Sequence, residues 1–446
     1  MAKNTHELRD PIHVFIKLDS QEREVLNSPP FQRLRYVHQL AMTYLVYPGA
    51  THRRFEHSLG VMELASRVYD IITNPENLTD EIRNRFPQTT DSLKRLHWRR
   101  ILRLAALCHD LGHLPFSHAA EDLLPGHWDH ERMTRELILS PTMKEIWSSL
   151  EPKPEPEDIV KLALGPSKAK DLTFTDWETL LAEIIVGDAF GVDRMDYLLR
   201  DSLHTGVAYG KFDHFRLIDT MRILTPPAHG DETESSSEPC IGVESGGLLS
   251  AEALLLVRYF MFSQVYFHPI RRIYDIHLKD FLLEWIENGC YPTEPEEFLS
   301  YTDAEIISAM RKATKNADSP GHPHAKRIIN RNHFHLLYEG SLSDIKASGG
   351  EMKAKQIAEA AADEFGADKI RNDSYLPKDS NIDFPVRERD GAIVSARSKS
   401  QVLQKIPAAV FDYVFVEKDI LPKAEAWFKE NRNSLLTKSK TEEEEE

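Results

Sequence analysis

Ile101-Leu102-Arg103-Leu104-Ala105-Ala106-Leu107-Cys108-His109-Asp110-Leu111-Gly112-His113-Leu114-Pro115-Phe116-Ser117-His118 is an apolar helical run that ends in three imidazoles and a carboxylate within ten residues. Burying such groups beside apolar surface costs on the order of several kcal/mol unless a partner or a metal satisfies them. Four of them at one helix end predict a site. A single His-Asp pair is more often a plain hydrogen-bonded couple, so the surrounding sequence has to decide.

Upstream, Phe55, Leu59, Met62, Ala65, Tyr69 and Ile72 recur every three or four residues, the pattern of an amphipathic helix. His57 lies near its start. Arg53 and Arg54 stand just before it, where a phosphate would also meet free backbone N–H groups. A second helix runs from about Ser92 through Leu96, Ile101 and Leu104 to His109-Asp110. Before both, Phe31 begins a helix bearing Gln32, Arg33 and Arg35, and Thr43 to Ala50 reads as an extended stretch ending in a Pro48-Gly49 turn. Downstream, Ser117 to Leu124 reads as helical, Trp128-Asp129-His130-Glu131 opens another helix, and Trp177 to Val186 resumes helical periodicity. The run from Gly191 to Asp201 is dense in acids and bases for a segment flanked by apolar residues.

With 446 residues the chain exceeds the ~250–300 over which one core usually grows, so two or more lobes are expected. Cys108, Cys240 and Cys290 are odd in number and widely spaced, against a disulfide framework or a zinc knuckle and in favour of a reducing, cytoplasmic setting. The N-terminus is polar, and no run is expected to match the ~18 apolar residues of a membrane span. A formal charge of -16 disfavours general affinity for nucleic-acid backbones.

Arg216 to Leu224 and Cys240 to Gly247 read as two strands joined by the polar stretch Pro226 to Pro239, Ser250 as the cap of a long helix, and Thr302-Asp303-Ala304-Glu305 as a capping box. Short alternating runs beyond about residue 320, with helices near Met352 to Glu364 and Leu421 to Asn431, read as a small α+β lobe. The expected class is mainly α: a helical core over 1–320 with an inserted hairpin around 216–247, an α+β C-terminal lobe over 321–440 and an acidic tail over 441–446.

His57, His109-Asp110 and a later acid such as Asp193 form a donor set suited to a first-row divalent ion. Such an ion lowers the pKa of bound water from 15.7 to about 7. His113, His118, His130 and Glu131 remain to orient water, protonate a leaving oxygen and hold phosphate.

Arg54-Phe55-Glu56-His57-Ser58-Leu59-Gly60, His109-Asp110-Leu111-Gly112-His113, Pro115-Phe116-Ser117-His118, Trp128-Asp129-His130-Glu131 and Val192-Asp193-Arg194-Met195-Asp196-Tyr197 stand in this order. In these linked motifs, from about Asp10 to Tyr274, the chain resembles the HD-domain dNTP triphosphohydrolases, both their SAM-and-HD-domain branch and its bacterial homologues. No SAM domain is expected, since the chain starts almost at the HD region.

The resemblance implies cleavage of a dNTP at the α-phosphorus to deoxynucleoside and inorganic triphosphate. It implies a divalent metal (Fe, Mn, Zn or Mg) on His57, His109, Asp110 and Asp193. His118 matches the histidine that protonates the departing 5′ oxygen; His113, His130 and Glu131 match groups around the α-phosphate and the attacking water. Arg54 and Arg194 match phosphate contacts. Gln39 and Leu40 match residues that meet the 3′-hydroxyl, with Tyr197, Asp201 and Tyr274 completing the sugar pocket. Asn27, Gln32 and Arg35 fall where the family reads a regulatory guanine nucleotide with an acid, a glutamine and an arginine.

Three positions depart from the SAM-and-HD-domain branch: Glu121 replaces a shorter acid, Tyr266 falls near an arginine position, and Asn27 is an amide. Activation by a guanine nucleotide or dNTP and assembly into a homo-oligomer, dimer or tetramer, complete the expectation. Two other readings use the same residues: an HD-type phosphodiesterase or nuclease acting on a single strand or a nucleotide messenger, and a catalytically inactive nucleotide-binding regulator.

Overall fold

The computed structural model describes residues 5–226, 238–341, 344, 351–377 and 382–436, with the backbone alone at residue 118. The acidic tail and most of the stretch between Pro226 and Pro239 lie outside the described residues. The chain divides into two compact units. One comprises Met1–Met261, Tyr291–Glu305 and Asn381–Ile406, the other Phe262–Cys290, Ile306–Ser380 and Pro407–Glu446. The strands are β1 (Thr5–Asp10), β2 (Val14–Asp19), β3 (Met221–Leu224), β4 (Cys240–Glu244), β5 (His335–Glu339), β6 (Ile370–Tyr375), β7 (Pro385–Arg387), β8 (Ile393–Ser395) and β9 (Phe411–Val416).

The first unit is mainly helical, with α1 (Ser20–Leu26), α2 (Pro29–Arg33), α3 (Arg54–Ile72), α4 (Asp80–Arg85), α5 (Ser92–Cys108), α6 (His130–Ile138), α7 (Pro141–Ser149), α8 (Pro156–Lys168), α9 (Asp176–Val186), α10 (Val192–Thr205), α11 (His214–Asp219) and α12 (Leu248–Met261). Local chemistry sets several starts. Asp91 accepts from the N–H groups of Leu93 and Lys94 at the head of α5, Asp129 accepts from Arg132 N–H at the head of α6, and Thr175 with Glu178 makes a capping box on α9. The two helices expected to lead up to the His-Asp pair are present as α3 and α5, which pack against each other, with α10 against α3 and α8 against α5. Leu59, Met62, Ala65 and Tyr69 of α3 and Ile101, Leu104, Ala105 and Cys108 of α5 are all buried.

Two glycines permit this packing. A Cβ at Gly60 on α3 would run into Asp196 and Arg200 of α10, and one at Gly112 into the backbone of His130 and Thr134 on α6. Each marks a close approach of a neighbouring element at the motif that contains it.

Four local expectations change. Thr43–Leu45 is a 3-10 turn, closed by bonds from the Val46 and Tyr47 N–H groups to the Thr43 carbonyl, so the Thr43 to Ala50 stretch is not extended. Residues 214–219 are helical because Asp213 caps α11, which leaves only Met221–Leu224 as strand. The helix expected to start at Ser250 starts at Leu248. By length and composition, Ser245–Tyr266, 22 residues, is long and apolar enough to cross a membrane, where none was expected. It carries Glu252 and Arg258; Ala251, Leu254, Leu255, Val257 and Met261 of α12 are buried, but only 33% of its apolar window is.

The first unit also holds the β1-β2 hairpin and a sheet in the order β3-β4-β7-β8. β3 and β4 are antiparallel, β4 and β7 parallel. In the second unit β5, β9 and β6 form an antiparallel sheet in that order, with the Ala354–Phe365 helix packed on it. Ile357, Ala361, Val414 and Val416 belong to one buried cluster there. The architecture is therefore mainly α, with small sheets.

Candidate metal centre and active site

The C-terminal end of α5, the start of α3 and the first turn of α10 meet in the first unit. His57 Nε2 lies 3.0 Å from Asp193 Oδ1 and 3.7 Å from Asp110 Oδ2. His109 Nε2 lies 3.4 Å from Asp110 Oδ1 and 3.6 Å from Asp193 Oδ1. One ligand atom from each of His57, His109 and Asp110 falls within 4.8 Å of the others. The four predicted ligands thus converge, with His57, His109 and Asp110 buried and Asp193 36% exposed.

The hydrogen bonds of the imidazoles fit this donor set. His109 Nδ1 donates to the Ala106 carbonyl at 2.8 Å, which leaves the Nε2 lone pair turned into the cluster with no hydrogen-bond partner. His57 Nδ1 donates to Asp196 Oδ2 at 2.9 Å, which likewise aims its Nε2 at Asp193 and Asp110. A buried lone pair facing carboxylates is satisfied only by a proton or a cation. An outer carboxylate or carbonyl fixing the far nitrogen is the usual support of a metal-ligating histidine. Burial alone would lower the His57 pKa; hydrogen bonds to Asp193 and Asp196 and the charges of Asp196 and Asp110 outweigh it and raise it to about 10. Burial opposes ionisation of Asp110, but Arg54 and then His109 and His113 hold it well below the usual carboxylate range. The pocket is electrostatically built for positive charge, and the residues present fit a divalent ion.

Asp196, which the motif alone does not assign, supports His57 from a buried network. Its Oδ1 meets His13 Nε2 at 2.8 Å, and Arg200 Nε and Nη2 reach its two oxygens at 2.8 and 3.0 Å. Arg200 Nη1 also donates to Asp10 at 2.8 Å. The four residues are buried, and only the i, i+4 spacing of Asp196 and Arg200 was visible as a local signal.

Arg54 is buried between Asp110, which it pairs with, and Ser117, whose Oγ accepts from Nε at 3.1 Å and Nη2 at 2.8 Å. His113 Nε2 lies 3.3 Å from Asp110, and its ring stacks on that of His130 at 4.0 Å. Burial, Arg54 and His130 keep the His113 pKa well below 6.5, so it is neutral. His130 Nδ1 contacts Glu121 and lies 3.2 Å from Glu131. Despite one extra methylene, Glu121 reaches the imidazole. Burial lowers the His130 pKa, yet Glu121 and Glu131 raise it above the ordinary value. His118 follows this loop in the backbone of the Ser117–Leu123 3-10 helix; its side chain lies outside the described residues.

Gln39 and Leu40 are buried, and the Gln39 N–H donates to the His52 carbonyl at 3.1 Å. His52 in turn contacts Asp201 through Nε2 at 2.7 Å, so Gln39 and Asp201 share a neighbour. Arg194 turns back onto the carbonyls of Gly187 and Asp188, and Tyr197 lies one turn from Asp193 on α10. Gln32 Oε1 accepts from Arg35 Nε at 2.9 Å and its amide donates to the Leu26 carbonyl at 2.7 Å, beside the exposed Asn27. Tyr274 and Tyr266 belong to the second unit, where Tyr274 is buried with its ring 5.0 Å from that of His333.

The HD domain model matches residues 54–201, which hold every residue of the cluster, and the HD associated region model matches 212–413. The chain belongs to the HD-domain family. A hypothetical protein of known structure, from Aquifex aeolicus, superimposes with a TM-score of 0.75 at 31% identity, over 95% of this chain and 99% of that one. An uncharacterized protein of Methanocaldococcus jannaschii is 35% identical over 304 residues, 68% of this chain and 54% of that protein. The deoxynucleoside triphosphate triphosphohydrolase SAMHD1 of Gallus gallus is 28% identical over 461 residues, 91% of this chain and 70% of its own length. This HD-domain chain spans about half the length of the archaeal relative and of an uncharacterized Bacillus subtilis relative, 54% of each.

Proposed function

We propose that this HD-domain protein hydrolyses dNTPs to deoxynucleoside and inorganic triphosphate. The observation that carries the reading is the convergence of His57, His109, Asp110 and Asp193 with the buried Arg54 guanidinium at one site. The resemblance to enzymes named as dNTP triphosphohydrolases supports the substrate class. A divalent ion on the four ligands, Fe, Mn, Zn or Mg, supplies Lewis acidity and lowers the pKa of water.

The side chains have separate tasks in this reading. Arg54, fixed by Ser117 and Asp110, and Arg194 hold phosphate oxygens. His130, fixed by Glu121 and Glu131, and neutral His113 orient the attacking water and the α-phosphoryl oxygens. Water attacks the α-phosphorus, the bond to the 5′ oxygen breaks, and His118 gives that oxygen its proton. Gln39, Leu40, Tyr197 and Asp201 receive the deoxyribose. Gln32 and Arg35, hydrogen-bonded to each other, with Asn27 nearby, support a regulatory nucleotide site.

Assembly into a homo-oligomer and a reducing, cytoplasmic setting belong to the same reading, the latter supported by three free cysteines. Metal-loaded protein incubated with each dNTP, each NTP and a short oligonucleotide tests it. Triphosphate and deoxynucleoside from dNTPs are expected. Mononucleotides from the oligonucleotide would replace the reading with a nuclease, and no turnover with a binding protein.

A further inference from the structure

Among the described residues, Phe116 (φ 56°) and Ser117 (φ 58°) are the one consecutive pair of non-glycine residues with positive φ. A bulky aromatic residue adopts the left-handed region only where its surroundings over-determine it. This pair directly precedes residue 118, so whatever holds it sets the course of the backbone into that position.

The holding group comes from far along the chain. Asp303 is the first residue of the Asp303–Ala313 helix and is buried. The helix start is closed without it: the Thr302 N–H donates to Glu305 at 3.0 Å, and Thr302 Oγ1 accepts from the Ala304 N–H at 3.2 Å. The Asp303 carboxylate is therefore spent elsewhere. Its Oδ1 accepts from the Phe116 N–H at 2.8 Å, and its Oδ2 accepts from the His38 N–H at 2.7 Å and from His38 Nδ1. The His38 ring stacks on Tyr44 at 5.0 Å and Phe116 at 6.1 Å. Ser117 Oγ closes the circuit by donating to the His38 carbonyl at 2.9 Å while accepting from Arg54. Arg33 adds a second tie, with Nη1 to the His113 carbonyl at 2.8 Å and Nε to the Tyr301 carbonyl at 2.9 Å. One carboxylate thus joins the segment that carries Gln39 to the loop that enters residue 118.

We propose that Asp303 is a positioning residue, which through the Phe116 and His38 N–H groups holds the left-handed turn that sets the backbone entering residue 118, and so supports the proton transfer assigned to His118 above. The proposal rests on the triphosphohydrolase reading above for the task it assigns to His118. An amide at this position presents N–H groups to one of its two backbone donors, so Asp303→Asn loses a tether at nearly constant volume.

The test uses the full metal-loaded chain and its Asp303→Asn variant. On a dNTP, whose alkoxide leaving group needs a proton, kcat falls by about 10²-fold. On bis(p-nitrophenyl) phosphate, whose nitrophenolate leaves without a proton, the loss stays under about threefold. Metal content is unchanged. Amide hydrogen exchange in peptides covering 114–118 rises about tenfold while peptides of α3 and α5 keep their protection. Equal losses on both substrates would make Asp303 a structural residue and overturn the proposal, as would unchanged exchange at 114–118. Should Asp303→Asn fail to fold, His38→Phe, which keeps the stack and removes only the ring hydrogen bond, gives the same leaving-group selectivity at about threefold, and its absence overturns the proposal. A parent that releases no triphosphate from any dNTP defeats the substrate reading alone, and the exchange result then decides for or against Asp303.

Discussion

Two clusters of histidine and carboxylate look alike by composition and differ in the direction of their hydrogen bonds. In the first unit, His57, His109 and Asp110 bring ligand atoms within 4.8 Å of one another; in the second, His277, Asp280 and His324 do the same. The imidazoles of the first cluster donate their far nitrogens outward, to Asp196 and to the Ala106 carbonyl, and turn lone pairs inward. In the second, the Phe334 N–H donates to His277 Nε2 at 3.2 Å, which occupies the lone pair of the neutral ring and leaves Nδ1 carrying the proton. Positive charge is already supplied there by Arg371, whose Nε and Nη2 lie 3.1 and 3.0 Å from Asp280 Oδ2. Burial, Arg327 and His324 press the His277 pKa down to about 2, while His57 stands at about 10. A cation is wanted at the first cluster and repelled at the second. Residue types alone do not make a metal site; the tautomers their neighbours impose do.

The largest expected break in this comparison is Asp110→Ala, which removes a ligand and should cut hydrolysis at least ~10³-fold and abolish metal content measured by elemental analysis. His324→Ala in the second cluster should leave both at the parent's level. Equal metal loss in the two variants would show that the hydrogen-bond argument fails. Next comes Asp196→Asn, which loosens the orientation of His57 without touching the ion. Affinity for the divalent ion should fall about 10–100-fold by equilibrium titration, and an unchanged affinity would return Asp196 to a purely structural role.

The second cluster predicts a pH effect of its own. His277 has a folded pKa of about 2, below the ~6.5 of an unfolded chain. Between these values the unfolded state binds more protons, so stability is complete above pH ~6.5 and declines as pH falls. At pH 5 the expected loss is about 1–2 kcal/mol. His277→Gln should flatten that part of the thermal-midpoint profile between pH 6.5 and 5; an identical slope in variant and parent would contradict it. The smallest effect concerns the proposed regulatory site. If it binds GTP, Asn27→Asp introduces a charged acceptor and should lower the GTP concentration for half-maximal activation about fivefold, the equivalent of ~1 kcal/mol. Rates indifferent to GTP in both proteins would remove activation from the account.

What the sequence made legible was local. The periodicities of 55–72 and 92–108 became α3 and α5, and His57, His109, Asp110 and Asp193 stood in motifs whose spacing survives in the structure. The supports were not legible, because they join distant positions. His13 and Asp196 are 183 residues apart, and Phe116 and Asp303 are 187 apart. Neither pair leaves a periodic trace. The Thr302–Glu305 cap was readable as a helix start, but nothing in it revealed that the acid beside it serves a loop rather than the helix. The Thr43 to Ala50 stretch reads as extended but is a turn for a related reason. Its aromatic and β-branched residues suit a strand, yet the N–H groups of Leu45, Val46 and Tyr47 are satisfied within the turn.

The most direct test of the central claim runs the metal-loaded protein with a dNTP in H₂¹⁸O and follows the label by mass spectrometry. Attack at the α-phosphorus predicts unlabelled deoxynucleoside and inorganic triphosphate carrying one ¹⁸O, with no label transferred by the Asp110→Ala variant. Deoxynucleoside monophosphate with pyrophosphate, or label in the deoxynucleoside, would contradict it.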